Sequence, residues 1–154
     1  MTTVQTRTVD LHPDLDPAPV PLHRATDLRD PVSQAYWLLR VVFVAAPILF
    51  GLDKFTGWLT DWDRYLAPQV ADVLHLQAHT VMYVVGAIEI VAGLIVAFRP
   101  RFGSWLVVAW LAGIIVNLLV LGDHYDVALR DVGLLVAALA LAQLARVFPN
   151  RLRP

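Results

Sequence analysis

Two charged residues stand inside long apolar runs of this chain: Arg40 in LLRVVFVAAPILF and Glu89 in GAIEIVAGL. Ionisable groups are costly in hydrocarbon and are expected to face other helices, to pair, or to carry protons. Arg40 and Glu89 are therefore read as a buried charge pair, with proton handling by Glu89 as the alternative. A second set, Lys54, His79, Asn117, Arg130 and Asp131, lies near the ends of the apolar runs. Amine, amide, imidazole, guanidinium and carboxylate together can donate to and accept from a polar head group, and these five are the candidate ligand-binding residues. Lys54 is the expected cation for Asp131, with Asp53 or Asp126 available to Arg130. His75, His79 and His124, with Asp123, are the weaker candidates for a metal, since imidazole and carboxylate suit zinc or copper.

The elements that must hold these groups follow from composition. Of 154 residues, 58% are hydrophobic and 16% charged, against about 45–50% and 25% in soluble domains. The excess is gathered in four blocks, Ala35–Leu52, Leu76–Phe98, Phe102–Leu121 and Val127–Phe148, each near the roughly 20 residues that cross a bilayer as helix. Strands would alternate, and these blocks do not. The fold class is all-α, a four-helix transmembrane bundle over residues 35–148. It is preceded by an extended or disordered tail (1–34, with Pro13, Pro17, Pro19, Pro21 and Pro31) and followed by a short basic end (149–154).

Lys and Arg outside the spans set the orientation. Arg7, Arg24, Arg29, Arg99, Arg101, Arg146, Arg151 and Arg153 fall on one side; only Lys54 and Arg64 fall on the other. Both termini are thus expected in the cytoplasm and the protein in the cell membrane. The stretch GWLTDWDRYLAP then lies outside, and the spacing of Trp58, Trp62 and Tyr65 predicts a short interfacial helix ending near Pro68. LGDHYDVALRD also lies outside, with a turn at Gly122–Tyr125 and Asp126 near the N-cap of the fourth helix. By depth, Arg40 and Glu89 sit towards the cytoplasm, separated by about 7 Å along the bundle at ~1.5 Å per residue.

Faces can be read as well. Arg40, Pro47, Gly51 and Lys54 share one side of the first helix; Gly86, Glu89 and Gly93 share one side of the second. Glycines there let a neighbouring helix approach closely. In the third, Trp110, Gly113 and Asn117 align.

These same residues resemble a family. LLRVVFVAAPILFGLDKF (Arg40, then Gly51-x-x-Lys54), GAIEIVAGL (Gly86-x-x-Glu89, then Gly93) and ALRDVGLL (Arg130–Asp131) are similar to the helices of DoxX-type membrane proteins, over residues 35–147. The resemblance implies a four-helix protein linked with membrane redox systems, including thiosulfate:quinone oxidoreductase subunits. The chain has no cysteine, so thiol relays and thiolate-ligated clusters are excluded for it.

The expected function is an accessory subunit of a membrane redox or respiratory enzyme, without catalysis of its own. Quinone or another lipophile would be met in the outer polar layer. The alternatives are a purely structural subunit of a larger membrane complex and a quinone-dependent oxidoreductase subunit. No cofactor is required by the motifs. A non-covalent haem would have to draw on His79 and His124 and is not expected. The partners are the bilayer and other membrane subunits, not nucleic acid, because no phosphate loop is present and the basic residues follow topology.

Overall fold

The computed structural model describes residues 29–148; the expected tail up to residue 28 and the basic end at 149–154 lie outside the described residues. α1 (Pro31–Thr56) starts before the expected Ala35, for a local reason. Asp30 is its N-cap and accepts from the Ser33 backbone N–H and hydroxyl at 3.2 and 3.1 Å, with Pro31 following as the first helical residue. A carboxylate cap followed by proline satisfies the free first-turn donors. Gly57, in the left-handed region at φ 64°, ends the helix.

Three further long helices follow: α3 (Ala78–Phe98), α4 (Pro100–Leu121) and α5 (Tyr125–Val147). Among the described residues, these three and α1 are long and apolar enough to cross a membrane. In their most apolar stretches only 17–39% of residues are buried. The remaining apolar faces therefore point outwards, as lipid-facing surfaces do. The protein is a multi-pass helical membrane protein. The connection between α1 and α3 differs from the single expected helix: it holds a 3₁₀ turn at Trp62–Tyr65 and a separate short helix, α2 (Pro68–Leu74). Pro68 starts that helix instead of closing one, consistent with proline at a first helical position.

α1 packs on α3, α3 on α4, α4 on α5, and α5 returns to α1. α1 and α3 run antiparallel, since Gly51 faces Gly86 while Ile48 and Val44 face Gly93. A Cβ on Gly86 would come within 2.7 Å of the Gly51 carbonyl oxygen, and one on Gly93 within 2.8 Å of Ile48. These glycines allow the two backbones to touch. Only Arg99 separates α3 from α4, and Gly103 packs directly on the Val96 backbone, where an added Cβ would lie only 2.6 Å from Val96 Cα. Tyr36, Phe43, Val107, Leu141, Ala145 and Phe148 fill the interior at the end away from the α1–α3 connection, where Tyr36 and Phe148 rings lie 4.6 Å apart.

Gly86→Val is expected to force α1 from α3 and to destabilise the protein by about 1–3 kcal/mol, the usual range for overpacking. Gly133→Ala, where nothing lies within 4 Å of an added Cβ, is expected to be neutral or to stabilise by up to about 1 kcal/mol. Thermal unfolding of the detergent-solubilised variants distinguishes the two.

Candidate functional site

Helical side chains lean towards the N-terminus of their own helix. Lys54, one turn beyond Gly51, leans back over Gly51. Glu89, one turn beyond Gly86, leans back over Gly86. Because the helices are antiparallel and the glycines face each other, the two side chains converge. Lys54 Nζ donates to Glu89 Oε2 at 2.7 Å, with side-chain exposures of only 4% and 9%. Trp110 Nε1 on α4 reaches the other carboxylate oxygen, Oε1, at 3.5 Å. The Trp62 ring lies 3.8 Å from Lys54 Nζ and covers the ammonium with its π face, a favourable arrangement for a desolvated cation.

Trp62 is held in turn by Asp53. That carboxylate accepts from Trp62 Nε1 at 2.7 Å, from the backbone N–H groups of Trp58 and Leu59 at 3.0 and 3.1 Å, and from the Thr56 hydroxyl at 3.3 Å. One buried aspartate therefore folds residues 57–62 back across the end of α1. The far end of this strap is pinned by Asn117 on α4, which accepts from Ala67 N–H at 2.9 Å and donates to the Tyr65 carbonyl at 2.6 Å. Asp53, Trp62, Lys54, Glu89 and Trp110 form one continuous polar and aromatic chain through α1, the strap, α3 and α4.

Several expectations are corrected here. Glu89 pairs with Lys54 and not with Arg40. Arg40 donates to the Ala97 carbonyl and, at 3.3 Å, to the Tyr36 hydroxyl, and its guanidinium lies 4.9 Å from the Trp37 ring. Ala97 is eight residues beyond Glu89, or roughly 12 Å along the helix at ~1.5 Å per residue, too far for the expected pair. Lys54 is consequently not the partner of Asp131. Asn117 has both polar atoms committed to the strap. Both nitrogens of His79 are engaged, Nδ1 with Asp63 at 3.3 Å and Nε2 with the Tyr83 hydroxyl at 2.8 Å. His75 is the left-handed C-cap of α2, at φ 54°, while His79 lies in α3. Their spacing thus falls across a turn and not along one helix. Among the described residues no three His, Asp or Glu side chains are grouped to hold a metal ion.

Arg130 and Asp131 separate. Arg130 is exposed and lies 3.9 Å from Asp126, the expected i,i+4 neighbour. Asp131 is half-buried and, among the described residues, takes no hydrogen bond or ion pair. His124 is the N-cap of α5, and Asp126 sits near it in the first turn, as its place in the sequence led one to expect. The His124 ring packs on Tyr65 at 4.7 Å between centroids, and its buried Nδ1 has no hydrogen-bond partner among the described residues.

The roles of Asp53 and Trp62 were not legible in the sequence, whereas the shared face of Trp110 and Asn117 was the available signal for α4. Compared with known protein families, curated proteins and solved structures, the chain matches none.

Asn117→Ala would leave the Ala67 N–H and Tyr65 carbonyl without partners, at about 1–3 kcal/mol. Hydrogen exchange is expected to accelerate at Ala67 and through the strap while the mid-helix amides of α4 keep their protection. Unchanged exchange at Ala67 would mean that something else holds the strap.

Proposed function

We propose that this chain is a DoxX-like accessory subunit of a membrane redox or respiratory system. It lies in the cell membrane with both termini in the cytoplasm and has no catalysis of its own. It meets quinone or another lipophilic molecule in the polar layer at its outer end. The observation that carries the non-catalytic part is the closure of the Lys54–Glu89 pair, buried, 2.7 Å long and covered by Trp62. The strongest ionic groups inside the bundle are spent on joining helices. The orientation rests on the eight-to-two division of basic residues. Trp58 and Leu59, 88% and 66% exposed on the strap, suit the headgroup zone, where aromatic rings with polar edges collect. The strap and α2 are accordingly the interfacial element.

Reporter tags at either terminus are expected to be protected in sealed right-side-out vesicles, and an accessible C-terminus would reverse the layer assignment. Purification of the full chain from native membranes, followed by identification of co-purifying chains and extractable quinone, tests the association. Recovery with a redox enzyme's subunits is expected. A chain recovered alone, with lipid only, would contradict the accessory role.

A further inference from the structure

Arg40 lies well inside α1, more than two turns after Pro31, yet it stands level with the end of α3. Its guanidinium donates to the carbonyl of Ala97, one residue before the last of that helix. Arg99 is the whole connection to α4, and Arg101 is the second residue of α4. Arginines from α1, the turn and α4 are therefore gathered in one layer around the α3–α4 turn. Arg99 and Arg101 are exposed there, and Arg40 is half-buried.

The layer holds no counter-charge. Among the described residues Arg40, Arg99 and Arg101 form no ion pair. α4 contains no Asp or Glu, and the acid of α3 is Glu89, which belongs to Lys54. Asp30 caps α1, roughly 15 Å before Arg40 along the helix at ~1.5 Å per residue. The acids of α5 lie at its strap end, and near the layer it adds Arg146, which is bonded to Gln143. Arg40 has neutral partners: the Ala97 carbonyl, the Tyr36 hydroxyl and the Trp37 ring at 4.9 Å. They meet part of its hydrogen-bonding capacity and leave its charge uncancelled. An excess of basic residues beside a span serves topology, and that accounts for Arg99 and Arg101. It does not account for an arginine set inside α1 with its guanidinium drawn to the same level.

The chemistry of the layer is of one sign and one geometry. Guanidinium groups present a planar fork of donors that matches the oxygens of a phosphate. The layer sits at a turn between two membrane-crossing helices, the level at which a chain leaves hydrocarbon and meets head groups. Phe98 and Phe102, each 64% exposed, flank the turn and offer acyl chains an apolar surface. We propose that this layer binds an anionic phospholipid, its phosphate received by Arg40 together with Arg99 and Arg101. A lipid fits better than free phosphate because the cations are bordered by exposed apolar side chains. The site lies at the opposite end of the bundle from the Lys54–Glu89 pair and shares no residue with it.

The test uses the full-length protein, delipidated in a neutral detergent and titrated with phosphatidylglycerol or with phosphatidylcholine of identical acyl chains. Native mass spectrometry counts the bound copies. The first phosphatidylglycerol is expected to bind about tenfold or more tighter than the first phosphatidylcholine, since each basic side chain favours an anionic lipid about fivefold. Excess inorganic phosphate is expected not to displace it. Joint replacement Arg99→Gln and Arg101→Gln is expected to remove most of the preference, and Arg40→Gln to reduce it. Arg64→Gln, at the strap end, is expected to leave it unchanged. Because Arg99 and Arg101 are exposed, the joint variant decides the matter even if Arg40→Gln folds poorly. Equal affinity for the two lipids would overturn the site and leave Asp10, Asp14, Asp16 and Asp27 as the chain's own candidates to neutralise the layer. A preference that survives the joint replacement would overturn it as well. Displacement by inorganic phosphate would overturn the lipid as its occupant.

Discussion

The polar end of this protein depends on one buried ion pair. Lys54 and Glu89 are both almost wholly removed from solvent, and either charge left alone in that place would be strongly unfavourable. In a membrane there is little hydrophobic gain from bringing helices together, so close backbone packing and interhelical polar contacts decide the arrangement. The chain combines the two. Gly51 and Gly86 let α1 and α3 touch, and the lean of the following side chains brings the ammonium and the carboxylate together over that contact. Register, approach and charge pairing all have the same solution, which is the kind of agreement between levels that singles out one structure.

The rest of the strap end is built outward from that pair. Trp62 covers the ammonium, Asp53 positions Trp62, and Trp110 brings α4 to the carboxylate. Asn117 then fixes where the strap returns. The opposite end is made differently. Arg40 gives its charge to a backbone carbonyl and to aromatic faces, and the interior beside it is apolar. The two ends therefore have different capacities. One is a packed anchor, and the other is tied together by a layer of interhelical polar contacts.

Much of the fold was legible in the residues. Hydropathy located the four long helices, and the glycine faces of α1 and α3 were readable from spacing alone. The pairing of charges was not. Ranking Arg40 and Glu89 by depth treats each side chain as lying level with its own Cα. It misses that Lys54 leans back along α1 and Glu89 leans the other way along α3. It also misses the register that the Gly51–Gly86 contact imposes. Asp53 was unreadable for another reason: three of its four donors, on Trp58, Leu59 and Trp62, reach it only after Gly57 adopts a left-handed conformation. The LGDHYDVALRD stretch was read half correctly. Gly122 does end α4 in the left-handed region at φ 82°, and Asp126 does lie beside Arg130. Asp126 also stands near the cap, two residues after His124, although no side-chain hydrogen bond caps α5.

A double-mutant cycle over Lys54 and Glu89 tests the central interaction most directly. Thermal unfolding would be compared for the unaltered chain, Lys54→Met, Glu89→Met and the double variant, all in one detergent. Each single variant strands a buried charge and is expected to lose about 3–5 kcal/mol, and the double variant less than the two losses combined. Losses that simply add, or single variants as stable as the parent, would show that the two groups do not hold each other and that the bundle is organised by something else.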